Sequence, residues 1–172
     1  YLDEVVDVGI DSLKIEGRMK SVHYVASVVK AYRMALDDCL SDMPYEVQPE
    51  WLEELEKVSH RAYTTGFFFG KPNEEAQIYD SNTYVRNYTY LGKIAAVDAE
   101  GYAHFEQKNK FSVGDRIERM CFDGSNELLT VLEIRNHEGL SVESAPHPKE
   151  ALAVRFSAVP AVGELLRTET AK

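Results

Sequence analysis

Long hydrophobic runs are missing from this chain, and no stretch of about 18 apolar residues is available to cross a membrane as a helix. No cationic segment followed by an apolar one opens it, so no secretory signal is read and the cytoplasm is the expected location. Cysteine is scarce. Cys39 and Cys121 are the only two, far apart and without CxxC spacing, which excludes a disulfide framework and a zinc knuckle and points to reduced, ordinary thiols. Glycine-rich phosphate loops, a GxSxG nucleophile elbow and an HExxH helix are all absent. His147 stands between Pro146 and Pro148, but no second His or Cys lies at ligand spacing, so no metal is expected. Positive charge is also in short supply. The formal net charge is −10, which argues against a surface that attracts nucleic acid everywhere. Up to Arg86 there are 9 Lys and Arg against 16 Asp and Glu, and from Asn87 onward 10 against 13, so a local basic face fits the second half better.

What is present divides into two patterns. From Val22 the apolar residues Val25, Ala26, Val29, Tyr32 and Leu36 recur at three and four, predicting an amphipathic helix that fades between Asp38 and Ser41, with Ser21 as its N-cap. Pro49 opens a second, short helix with Trp51, Leu52, Leu55 and Val58 on its apolar side, ending by Ser59. Between His60 and Arg86 neither period holds. The aromatic and glycine content of SHRAYTTGFFFGKP and QIYDSNTYVRNY predicts an ordered connector, because flexible linkers lack so many large side chains.

From Asn87 the period becomes that of strands. Short apolar or alternating runs at 88–97, 102–107, 116–122, 128–134, 140–144, 152–156 and 164–167 are separated by Gly, Asp and Pro turn signals. Such spacing predicts a small closed barrel or a sandwich, and a closed or nearly closed antiparallel barrel is the form expected here. The expected fold is therefore α+β, with residues 1–86 helical and connecting and residues 87–172 a β-barrel of modest core.

Three stretches carry a resemblance: SLKIEGRMKS at 12–21, the helix start VHYVASVVKAYR, and SHRAYTTGFFFGKP. In order and spacing they resemble the C-terminal part of the collagenase-like peptidases of family U32, which also includes prephenate-dependent tRNA uridine hydroxylation proteins. The resemblance implies a βα (TIM-like) barrel that carries the chemistry, with Ser12 to Glu16 as a late barrel strand and Val22 to Asp38 as the helix outside it. It further implies that residues 87–172 form an accessory barrel resembling domain II of translation elongation factors. DEVVDVGID upstream is too short for a domain, so the chain reads as beginning inside a larger fold. The family's cysteine signature has no counterpart here, and neither Cys39 nor Cys121 inherits its role.

No catalytic residue is assignable. Lys14, Glu16 and Arg18 alternate, so on a strand they share one face, either clamping an anionic substrate or forming an internal ion-pair network. His60 and Arg61 follow the second helix, where they either offset its negative end or contact substrate at the domain junction. Phe67, Phe68 and Phe69 suit interdomain packing or base stacking. Lys108, Lys110, Arg116 and Arg119, with Phe105 and Phe111 nearby, form the candidate basic-aromatic patch for RNA or another partner, against the plainer reading of a solvated strand face. No cofactor is implied by these residues, and that of a longer parent is left open, as is the oligomeric state. Three functions follow: a collagenase-like peptidase acting on protein or peptide, a tRNA-hydroxylating protein, or a binding module without catalysis. In each, the residues present here are expected to be non-catalytic on their own.

Overall fold

The computed structural model describes residues 1–71 and 84–170. It divides into two compact units, Tyr1–Asn87 and Tyr88–Lys172. Residues 72–83 of the expected connector lie outside the described residues.

The first unit is helical: α1 (Leu2–Asp7), α2 (Val22–Cys39) and α3 (Pro49–Glu56). Ser21 caps α2 as expected, its hydroxyl accepting from the Tyr24 N–H at 3.1 Å. Pro49 opens α3, where its missing N–H costs nothing. The buried face of α2 differs from the expected one. His23, Ser27, Val28, Ala31 and Ala35 are withdrawn from water, while Val25, Val29 and Tyr32 are exposed. Ser27, Ala31 and Ala35 recur every fourth residue, and small side chains there let another element approach closely. On α3 it is Trp51 and Glu54 that are buried, and Leu52 is exposed. Glu54 meets Lys30 of α2 at 3.7 Å with both side chains nearly covered, so an ion pair rather than an apolar stripe helps to register the helices.

Residues 12–16, expected as a barrel strand, join no ladder among the described residues. A parallel barrel strand needs hydrogen-bonded neighbours at its edges, and none of the described strands lies beside this segment. Lys14 and Glu16 accordingly face solvent, with side chains 85% and 63% exposed and 3.7 Å apart. Among the described residues they form an exposed pair, of a kind that contributes little.

The second unit is all sheet: β1 (Tyr88–Lys93), β2 (Ala96–Val97), β3 (Ala103–Glu106), β4 (Phe111–Ser112), β5 (Arg116–Met120), β6 (Asn126–Arg135), β7 (Ser141–Val142), β8 (Ser144–Ala145), β9 (Ala151–Phe156) and β10 (Leu165–Glu169). The strand order is β1-β10-β5-β6-β9-β3-β2, with every pairing antiparallel. β1 and β2, at the two ends of that order, are consecutive in the chain, so one bent stretch borders both edges. The Lys108 N–H donates to Leu91 O at 2.8 Å across the seam, and the barrel closes. Gly92 makes the bend possible: a Cβ there would lie 2.6 Å from the Phe105 ring and 3.0 Å from Glu106 O. The interior is filled by Leu91, Ile94, Phe105, Ile117, Ile134, Leu166 and their neighbours. The β4–β8 ribbon was not expected, since two-residue strands show no period.

Two polar groupings hold this unit. Arg167 is wholly buried and stands opposite Glu118, its Nε donating to Oε1 at 2.6 Å. Tyr102, Ser141 and Arg135 all donate to the Glu133 carboxylate, at 2.6, 2.7 and 2.9 Å, and hold it down to about 2, well below its ordinary 4.5.

Glu118→Gln takes the carboxylate from a buried guanidinium and is expected to cost the full chain about 3 kcal/mol in urea unfolding. Replacing the pair together, Glu118→Leu with Arg167→Met, recovers most of that loss; a single variant as stable as the parent contradicts the assignment. Because Glu133 is more acidic folded than unfolded, the stability it contributes is complete above about pH 4.5 and is lost as pH falls towards 2. Glu133→Gln is therefore expected to lower the urea midpoint at pH 7 and to flatten its decline below pH 4.5.

Candidate functional site

The three stretches that carry the resemblance meet at one cleft of about 330 Å³ in the helical unit, lined by Lys20, Tyr24, His60, Arg61, Tyr63 and Tyr84. Local backbone rules bring them there. The Lys20 N–H donates to Gly17 O at 2.9 Å, closing a turn just before the Ser21 cap, so Lys20 and Tyr24 stand at the start of α2. A Cβ at Gly17 would come within 2.9 Å of Val25, so this tight turn requires glycine. Past α3, His60 forms a bridge with Val85, exchanging backbone hydrogen bonds of 3.3 and 2.9 Å, and this sets Tyr84 beside Arg61.

His60 is firmly positioned. Its ring stacks on Tyr63 at 4.4 Å between centroids and 12° between planes. Its Nδ1 lies 2.7 Å from Arg61 O, and since a carbonyl only accepts, Nδ1 carries the proton. In the neutral ring Nε2 is then the acceptor, and this atom is buried with no hydrogen-bond partner. The Tyr63 hydroxyl donates to Leu55 O at 2.7 Å, and burial first, then the neighbouring Tyr24, Glu56 and Tyr32, push it up to about 12. It is thus a fixed hydrogen-bond donor rather than a general base.

Lys20 and Arg61 are held by aromatic faces. Lys20 Nζ lies 5.1 Å from the Tyr24 centroid and 5.3 Å from that of Tyr84, and Arg61 Cζ lies 5.2 Å from Tyr84. Among the described residues neither cation has a carboxylate within ion-pair range. The arrangement presents two positive groups, an aromatic wall and an unsatisfied ring nitrogen. Chemically it can hold an oxyanion.

Of the residues expected from sequence, His60 and Arg61 are in this cleft, while Lys14 and Glu16 border a separate, mainly apolar hollow of about 790 Å³ with Ile15, Tyr32 and Trp51. The exposed Arg18 N–H donates to Glu16 Oε1 at 3.0 Å. Phe68 and Phe69 pack on the Tyr1 ring at 5.6 and 4.7 Å, and all three phenylalanines remain largely exposed. The barrel patch is not assembled as the sequence suggested. Phe105 and Phe111 stack inside the core, 6.1 Å apart. Arg119 is engaged by Glu127, by Val159 O at 2.9 Å and by Glu164 at 3.4 Å, and Lys108 pairs with Glu106. Arg116 and Arg119 are three positions apart on β5, so they point to opposite faces, and Lys110 and Arg116 remain exposed. Sequence reasoning missed Lys20, Tyr24, Tyr63 and Tyr84. Lys20 belonged to the quoted motif and continues its alternation but was not singled out, and Tyr84 is brought in by a single backbone bridge.

Residues 1–78 match the profile of peptidase family U32, and residues 86–167 match that of the family U32 C-terminal domain. The chain belongs to family U32. It is 37% identical over 157 residues to the tRNA hydroxylation protein P1 of Bacillus subtilis, covering 90% of this chain and 37% of that protein. To the tRNA hydroxylation protein P of Escherichia coli it is 34% identical, covering 85% and 32%. A collagenase of Porphyromonas gingivalis is 31% identical, covering 68% and 33%. The chain thus spans about a third of the length of these relatives. The crystal structure of a U32 C-terminal domain from Geobacillus thermoleovorans aligns with a TM-score of 0.42 at 22% identity, covering 46% of this chain and 99% of that one.

The Nδ1–H tautomer of His60 is the minor one of free histidine and is readable in a long-range ¹H–¹⁵N correlation spectrum. A neutral ring protonated at Nε2 contradicts the hydrogen bond to Arg61 O.

Proposed function

We propose that this chain is the C-terminal part of a tRNA-hydroxylating U32 protein. In this reading residues 1–86 belong to the end of a βα barrel that carries the chemistry elsewhere in a longer parent. Residues 87–172 are an accessory barrel of the elongation-factor domain II kind that helps to hold tRNA. The observation that carries the reading is the reach of the resemblance: three proteins named for tRNA hydroxylation match 84–90% of this chain at 31–37% identity, although two others match only 40–43% of it, against 68% at 30–31% for the two named collagenase. The cationic, tyrosine-walled cleft is chemistry suited to RNA, whose phosphates take Lys and Arg and whose bases take aromatic faces. Lys14, Arg18, Lys110 and Arg116 are further exposed groups available for such contacts.

The peptidase reading draws on the collagenase relatives. Burial first, and then the carboxylates of Asp3, Asp7 and Asp38, push the Cys39 thiol above its ordinary value of 9.0, so in that reading the nucleophile is a residue other than Cys39. In either reading a βα barrel draws its site from several strand ends, so residues 1–172 alone are inert.

Unmodified tRNA transcript is expected to bind the purified chain with an affinity that falls roughly tenfold or more between 50 and 200 mM salt, read by fluorescence anisotropy. Loss of hydroxylated uridine from the tRNA of cells lacking the parent gene completes the test. Intact tRNA modification in those cells, with gelatin cleavage by the full-length protein, transfers the assignment to the peptidase.

A further inference from the structure

We propose that Lys20, Arg61 and His60 form an oxyanion-binding subsite, filled by a phosphate of the phosphodiester type. As to the source of the oxyanion, the proposal rests on the tRNA reading; as to the chemistry of the site, it stands on geometry alone.

Three independent observations converge. First, the two cations share one wall: Lys20 Nζ and Arg61 Cζ are each within 5.3 Å of the Tyr84 centroid. Like charges gathered on one ring repel, and nearby Lys30 and Arg33 are each matched by a carboxylate, Glu54 and Asp37. In a chain of net charge −10, two cations brought onto one ring without a carboxylate among the described residues carry a repulsion that a bound anion would relieve. Second, the positions do not depend on side-chain flexibility alone. Lys20 is fixed by the Gly17 turn and the Ser21 cap, and Arg61 by the His60–Val85 bridge next to it. Third, the Nε2 of His60, a residue lining the cleft, is buried and has no hydrogen-bond partner among the described residues. With Nδ1 committed to Arg61 O, the protonated ring has one further donor, Nε2–H, and a ligand oxygen is a partner for it. Arg supplies a planar fork for two oxygens and Lys a point charge for a third, a combination suited to a tetrahedral phosphate.

Inorganic phosphate and unmodified tRNA transcript are the probes, with the full chain and the variants Lys20→Gln, Arg61→Gln and Arg61→Lys. Lys14→Gln, outside the cleft, is the charge-matched control. Phosphate is expected to shift the His60 ring signals in the NMR spectrum and to displace tRNA. Each Gln variant is expected to weaken tRNA binding about tenfold and to lower the salt slope by about one, with Arg61→Lys intermediate and Lys14→Gln smaller in both. If phosphate binds and the Gln variants abolish it, but tRNA affinity is unchanged in them, the subsite stands and takes a small free anion, and the tRNA reading of this cleft falls. If phosphate leaves His60 unmoved, or if folded Gln variants bind both probes as the parent does, the proposal is overturned. Should a Gln variant fail to fold, Arg61→Lys decides: full retention of both bindings overturns the bidentate role.

Discussion

Closure of the barrel through the single stretch Tyr88–Val97 is the constraint on which the sheet unit depends. One strand has to leave β10 and join β3 within a few residues, and it does so at 91–95. There Ile94 exchanges backbone hydrogen bonds with Glu164 and Gly163, and the Ala95 N–H donates to His104 O. A side chain at Gly92 would collide with Phe105, which is itself central to the core. Backbone closure and apolar packing are thus decided at the same place.

Cations are held in two ways, by carboxylates and by aromatic faces. In the barrel, Arg119, Arg135 and Arg167 are each neutralised by carboxylates, and Arg135 and Arg155 also flank the Tyr102 ring at 4.1 and 5.1 Å. Those charges are structural. In the helical unit, Lys20 and Arg61 are held by tyrosines instead, which orients a positive group without cancelling it. This contrast separates residues available to a ligand from residues consumed by the fold, and a count of Lys and Arg along the chain cannot make the distinction.

Much of the architecture was legible because it rests on short-range rules. The Ser21 cap, the proline at the start of α3 and the Gly and Asp turns between strands act within a few residues, and each lies where local pattern put it. Face and burial were less legible. The larger apolar residues of α2 pointed to one stripe, while the small residues Ser27, Ala31 and Ala35 form the packed one. Arg167 reads as a surface residue until Glu118 is found opposite it, and that depends on strand register. The cleft was half legible. His60 and Arg61 were conspicuous, but Lys20 and Tyr84 reach them through a turn and a one-residue bridge that leave no period in the sequence.

Tyr88 and Glu169 are register partners on adjacent antiparallel strands, and the hydroxyls of Thr89 and Thr170 lie 3.0 Å apart beside them. The sheet unit therefore begins and ends at one point of its surface. A module with coincident ends is topologically a ring with one cut. Its order of strands can be re-opened at an exposed turn such as Asp123–Gly124 and rejoined here with little new loop entropy, and a host chain can receive it at a single loop without its own two ends being forced apart.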